Sequence, residues 1–453
     1  MMRRVIWYAA TRRTAAPSAA CPAALAAVLL ALLGCVVGPA DPAIAGGGPA
    51  GGDRGQLVGA AAAAPVPVAA EATVPDPALP GPWQVGYRTV RIADPHRPGR
   101  VLVTSLWYPA RPNASTVPGS PLPGPTGTNA GPRPGAGSGA GGACPEAAAG
   151  GPGSGAGPGR RAFYPLIGDI GFDSASAVTD AVPAPGPFAL VVFSHGSAGS
   201  RVQAAYLMEA LASHGFLVAA PDHPGDTMTD AAAGRVERQL ALATDRPRDV
   251  SAVIDALTDP SCPAASRVRL DEIAVVGFSF GGFTAVVSSI GVLSAPADPR
   301  IRATVGIAPA TSPLPAAALA RVRVPTLLIG GTRDLALSIP ANVDRAFALL
   351  VGSHPRMTVA VTGAVHNSFT EICRQVRLLG AAGIPVALGL RVALTSAATC
   401  WPPQIAPADA HRLADRYTVA FLARHLRGES GYARYLTPPD AGDARLVTVR
   451  AQP

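Results

Sequence analysis

Lysine is missing from this 453-residue chain, so all 37 basic side chains are arginines, set against 29 acidic ones for a net charge of +8. A basic excess draws a protein to nucleic acid where it gathers into a patch, usually with aromatic side chains interleaved. Here the arginines are scattered and aromatic residues make up only 5% of the chain. The excess therefore reads as coding bias, and nucleic acid is not expected as a partner. Metal-binding spacings are lacking too. Past the N-terminal segment the cysteines are Cys144, Cys262, Cys373 and Cys400, none spaced with a histidine as metal ligands are, so no zinc site is expected.

Long apolar runs are scarce as well. The N-terminal one, residues 19–37, follows Arg3, Arg4, Arg12 and Arg13, the order of an export signal. Its short length and the Pro/Gly-rich sequence behind it argue against an uncleaved membrane anchor. Two endings stay open. Ala43-Ile44-Ala45 offers an Ala-x-Ala cleavage site, whereas Leu32-Leu33-Gly34-Cys35 is similar to a bacterial lipobox and would tether the protein to a membrane through a lipid on Cys35. Arg12-Arg13 also offers a twin-arginine route. Residues 1–45 are thus expected to send the chain out of the cytoplasm, to the periplasm, the cell envelope or the medium, where disulfides form. Cys373 and Cys400 bracket one insertion and are the preferred pair. Cys144 is left to pair with Cys262 or stay free.

Residues 46–82 are rich in Ala, Gly and Pro and read as a disordered tether. A catalytic domain is expected over 83–446, interrupted by a Gly/Pro-rich loop at 111–160 that cannot bury enough apolar surface to offset its ordering entropy. Strand-like runs at 84–92 and 100–108 predict an antiparallel hairpin at the sheet edge. From residue 187 strands (188–193, 217–220, 273–276, 303–307, 326–329 and, last, 357–361) alternate with helices (203–213, 248–257, 341–350, 411–427). That rhythm is the signature of an α/β fold with a doubly wound, mostly parallel sheet. Residues 371–409 break it and are expected to form a helical cap near the mouth of the active site.

The chain is organised around one junction. The apolar run at 273–276 leads into Gly277-Phe278-Ser279-Phe280-Gly281-Gly282 and then into an Ala/Val-rich helix. A Gly-x-Ser-x-Gly between a strand and a helix is the nucleophile elbow of α/β-hydrolases. A serine on so sharp a turn leaves no room for side chains two residues either side. Its hydroxyl needs a base, and the base an orienting acid, in chain order Ser, Asp, His. Asp334 follows the strand at 326–329 through a glycine turn, and His366 follows the strand at 357–361 in the same way. Asp298 and Asp344 are poorer fallbacks for the acid. The backbone amides of Phe280 and Ser197 are expected to hold the oxyanion. His195 reads as structural, and Asp222-His223 as lining the pocket.

Several segments resemble the platelet-activating-factor acetylhydrolase and bacterial dienelactone-hydrolase-like branch of the α/β-hydrolases. They are VTSLWYPA (103–110), FSHGSAGSR (193–201), VAAPDHPGDT (218–227), GFSFGG (277–282) and GAVHNSF (363–369). The resemblance implies an α/β-hydrolase fold and hydrolysis of small-molecule or lipid carboxylic esters, short acyl groups favoured, with no cofactor. Two departures shape this expectation. Dienelactone hydrolases proper carry a cysteine where this chain has Ser279. In the animal acetylhydrolases the acid follows the next strand, where this chain reads Gly306-Ile307-Ala308-Pro309-Ala310, which leaves the role to Asp334. The expected activity is that of an exported serine esterase. A lipase or polyester hydrolase is the related reading. A non-catalytic binding protein on the same fold is the rival, and the complete Ser/Asp/His set counts against it. Nothing in the sequence marks a peptide-recognition pocket.

Overall fold

The computed structural model describes residues 74–112, 144–147, 159–167, 169–381, 398–438 and 441–453. The export segment with Cys35, the tether up to residue 73, most of the 111–160 loop and residues 382–397 of the cap lie outside the described residues.

Among the described residues the apolar runs become strands of one twelve-stranded sheet. In chain order these are β1 (Gln84–Ala93), β2 (Val101–Ala110), β3 (Glu146–Ala147), β4 (Arg161–Ile167), β5 (Ile170–Thr179), β6 (Phe188–Ser194), β7 (Phe216–Pro221), β8 (Val268–Phe278), β9 (Ile301–Ile307), β10 (Thr326–Gly331), β11 (Arg356–Val361) and β12 (Val447–Gln452). Strands β7, β6, β8, β9, β10 and β11 lie side by side and parallel. The longer helices are α1 (Ala205–Ser213), α2 (Gln239–Thr258), α3 (Phe280–Ser288), α4 (Ile372–Ala381) and α5 (Pro407–His425). Side chains alternate across a strand, so a strand covered on both faces must be apolar throughout. Strand β6 shows this directly. Val191 and Phe193 pack with α1 and α5, whereas Leu190 and Val192 pack with α2. Both disulfides form, Cys373–Cys400 and Cys144–Cys262.

Three expectations need correction. The β1–β2 hairpin forms but is not at the edge, because β5 pairs with β1 in parallel through Gly86 and Tyr87 and β4 lies beyond it. Strands β4 and β5 add Ala162, Tyr164, Leu166, Phe172 and Ala177 to the core, but Pro165, Asp173, Ser174 and Ser176 interrupt their apolar pattern. They are also tied to the buried Glu209 of α1, which accepts hydrogen bonds from Tyr164 Oη (2.8 Å), Ser174 Oγ (2.6 Å) and the Ser176 amide (2.9 Å). Strand β11 is not the last, since β12 pairs antiparallel with it. Helix α2 starts well before residue 248 and keeps Pro247 in its interior.

Candidate active site

Strand β8 delivers the chain to Ser279, whose φ of 57° and ψ of −118° lie in the left-handed half of backbone space. Such a conformation costs a non-glycine residue about 1–3 kcal/mol, and the surroundings hold it there. The Ser279 amide donates to Ile307 O (2.9 Å), and its carbonyl accepts from the amides of Gly282 (2.9 Å) and Ala310 (3.1 Å). The flanking glycines leave no space for a side chain. A Cβ on Gly277 would lie 2.0 Å from Gly281 O, and one on Gly281 would lie 1.9 Å from Ser194 O. Gly281→Ala is therefore expected to lose about 3 kcal/mol of stability and to displace Ser279. Thermal melting alongside an ester assay checks both effects.

Strand β10 ends in Gly331, and the turn behind it presents Asp334, which is buried. Its Oδ1 accepts the amides of Ala336 (2.9 Å) and Leu337 (2.8 Å), so the carboxylate cannot rotate freely. Strand β11 ends near Gly363, and the next turn presents His366. The His366 Nδ1 lies 2.7 Å from Asp334 Oδ2, and its Nε2 lies 3.0 Å from Ser279 Oγ. With Nδ1–H donating to the carboxylate, the Nε2 lone pair faces the serine hydroxyl. The structure thus brings Ser279, His366 and Asp334 into one chain of contacts. The fallback acids lie elsewhere: Asp298 is paired with Arg300, and Asp344 with Arg450.

The loop after β6 lies over the serine. A Cβ on Gly196 would come within 3.3 Å of Ser279 Cβ. Among the described residues the amides of Ser197 and Phe280 have no acceptor, and Phe280 is the first residue of α3, where helix amides are free. The Ser197 hydroxyl is engaged elsewhere, donating to Asp226 Oδ1 (3.0 Å).

His195 is fully buried; its Nδ1 donates to Gly196 O (2.7 Å) and its Nε2 accepts the His223 amide (3.1 Å). Burial, with the Arg246 guanidinium nearby, holds its pKa well below the usual imidazole range. His223 does not line the pocket. Its ring turns into the core, accepting from Ser194 Oγ (2.9 Å) and donating to Asp249 Oδ2 (2.9 Å). Asp222 pairs with Arg201 instead. A strand end fixes where a turn begins but not which way its side chains point.

Sequence reasoning missed Gln203, Asp226 and Arg246, all buried around the 195–199 loop. One signal was present. Arg246 falls four residues from Leu242 and four from Val250 in the buried stripe of α2, an unusual place for a lone arginine.

A groove of about 530 Å³ runs beside His366, lined by Thr332, Leu335, Ala336, Val365, Ala398 and Thr399. Leu335 stands 94% exposed at its lip, with Trp401 63% exposed nearby. The segment carrying Ala398 and Thr399 is fastened by Arg333, which donates to Pro403 O (3.1 Å) and Gln404 Oε1 (3.1 Å), and by the Ile405 amide on Gly363 O (3.1 Å).

Residues 167–381 match the model of the PET hydrolase-like family. The chain is 26% identical to platelet-activating factor acetylhydrolase of Canis lupus familiaris over 41% of its own length and 48% of that protein. It is 24% identical to cutinase 2 of Thermobifida cellulosilytica, over 55% of this chain and 73% of the cutinase. The match thus spans about half the length of the mammalian relative. Among solved structures, ferulic acid esterase from Streptomyces cinnamoneus superposes with a TM-score of 0.57 and 25% identity, covering 81% of this chain and 96% of that one.

Proposed function

We propose that this member of the α/β-hydrolase superfamily is an exported serine hydrolase that cleaves carboxylic esters, short acyl esters above all. One observation carries the reading: the relay from Asp334 Oδ2 through His366 to Ser279 Oγ, with contacts of 2.7 and 3.0 Å, set beside two unpaired amides. His366 takes the Ser279 proton as Oγ attacks the ester carbonyl. The amides of Phe280 and Ser197 receive the oxyanion. The bond to the alcohol then breaks and His366 returns the proton to the leaving oxygen. A water gives a proton to His366, attacks the acyl-enzyme and releases the acid, and Ser279 regains its hydrogen. Export, and a lipid tether at Cys35 if the lipobox-like site is used, belong to the same reading and rest on the sequence of residues 1–45.

A second reading, lipase or polyester hydrolase, is favoured by the open groove with the exposed Leu335 at its rim, a surface suited to bulky or insoluble substrates. The names of the family model and of the cutinase agree with it. An acyl-length series of p-nitrophenyl esters separates the two. Short-acyl specificity gives rates that fall about tenfold or more towards long chains, and the lipase reading gives rates that rise with length. Folded protein that neither turns over any ester nor lets a fluorophosphonate label Ser279 would exclude both, leaving a binding protein.

A further inference from the structure

The loop of residues 195–199 has one backbone–backbone hydrogen bond of its own, from the Gly199 amide to Gly196 O (3.1 Å). Its shape depends on three buried side chains from three different parts of the chain. Gln203, just ahead of α1, accepts the Gly196 amide on Oε1 (2.7 Å). Asp226, beyond β7, accepts the Ala198 amide (2.8 Å) and the Ser197 hydroxyl (3.0 Å) on Oδ1. Arg246 of α2 donates from Nη1 to His195 O (2.6 Å) and from Nη2 to Gly196 O (3.2 Å), and pairs with Asp226 Oδ2 at 2.7 Å. The amides on both sides of Ser197 are thus tied, and that of Ser197 is left over.

Two further observations give this arrangement a purpose. Ala198 sits at a φ of 52°, a strained conformation for a residue with a Cβ, which persists only where the surroundings over-determine it. The Arg246 guanidinium also lies 4.9 Å above the Phe280 ring, so one side chain holds the Gly196 carbonyl just before the Ser197 amide and lies against the residue that carries the other free amide. Stability alone is a poor reason for such a pair, because a fully buried ion pair is often no more stabilising than apolar side chains of similar volume.

We propose that Arg246, Asp226 and Gln203 are positioning residues that aim the Ser197 amide at the oxyanion formed on Ser279. The proposal rests on the serine-esterase reading. A donor displaced by about 1 Å costs on the order of 100-fold in rate, and the loss falls on the transition state and not on substrate binding.

The test compares wild type, Ser279→Ala, Asp226→Asn, Gln203→Ala and Arg246→Gln on one short p-nitrophenyl ester. Inhibition by butylboronic acid, whose tetrahedral adduct on a serine puts an oxygen in the oxyanion position, is measured alongside. Melting curves show which variants fold. Should Arg246→Gln fail to fold, the two milder variants decide. Wild-type turnover that Ser279→Ala abolishes secures the underlying reading in the same assay. The expected result is then a fall in kcat of about 100-fold for Asp226→Asn, a matching loss of boronate affinity, and KM near the wild-type value. Folded Asp226→Asn and Gln203→Ala with wild-type kcat and boronate affinity overturn the clamp while leaving the esterase reading intact, as does a loss confined to KM.

Discussion

Asp334→Asn is expected to lower kcat by about 10⁴-fold while leaving the fold in place. The amides of Ala336 and Leu337 both donate to Oδ1, so the asparagine must keep its carbonyl oxygen there. Its NH₂ group then faces His366 Nδ1, which can only accept. The histidine is driven to the tautomer with hydrogen on Nε2, and a nitrogen that already carries a proton cannot take one from Ser279. Steady-state kinetics with a melting curve check this, and Asp344→Asn serves as the control. Asp344 lies on the surface paired with Arg450, so its replacement is expected to leave kcat unchanged. A substantial fraction of activity in Asp334→Asn would move the acid elsewhere.

His411 makes acidification costly. Its ring stacks on Tyr206 at 3.6 Å and its Nε2–H donates to Thr370 O (3.0 Å). Burial pushes its pKa from 6.5 down to about 4, against the smaller opposing pull of that carbonyl. The neutral ring therefore contributes stability that is complete above pH 6.5 and is lost as pH falls towards 4, where the unfolded chain has already bound its proton. For a displacement of this size the loss is of order 3 kcal/mol. His195 and His223, held down by burial with Arg246 nearby, act in the same sense. Asp415 and Glu371 act in the opposite sense, because burial raises their carboxyls and acid removes a penalty. Asp249 stays out of this window. Burial raises its pKa, but the hydrogen bonds from Arg100 and His223 outweigh that and hold it at about 2. The difference between wild type and His411→Gln isolates the term. Urea unfolding should show the variant gaining on wild type by up to about 3 kcal/mol as pH drops from 7.5 to 4. A difference that does not change with pH would show that His411 carries no such term.

What could be read from the sequence follows from how locally each feature is specified. Ser279, Asp334 and His366 each stand just after an apolar run and a glycine, so strand ends and chain order sufficed to pick out residues that the fold brings within hydrogen-bonding distance. Strands β4 and β5 escaped because Pro165, Asp173, Ser174 and Ser176 break their apolar pattern, and the group that satisfies the buried Ser174 and Tyr164 hydroxyls, Glu209, lies far along the chain. The clamp escaped for the same reason. Gln203, Asp226 and Arg246 mean little apart, and their roles exist only where three elements converge. His223 shows the limit of position alone, since its place at a strand end was legible but the inward turn of its ring was not.

The bond between Cys373 and Cys400 divides the labour on this side of the molecule. It fixes both roots of the intervening stretch while His366 and Asp334 are held by strand-end turns that lie outside it. Closing a longer loop adds little entropy cost, about 0.6 kcal/mol per doubling of length. A change of length between the two cysteines is therefore cheap in entropy and leaves the Ser279–His366–Asp334 relay held from outside, so what it reshapes is the groove wall at Ala398 and Thr399.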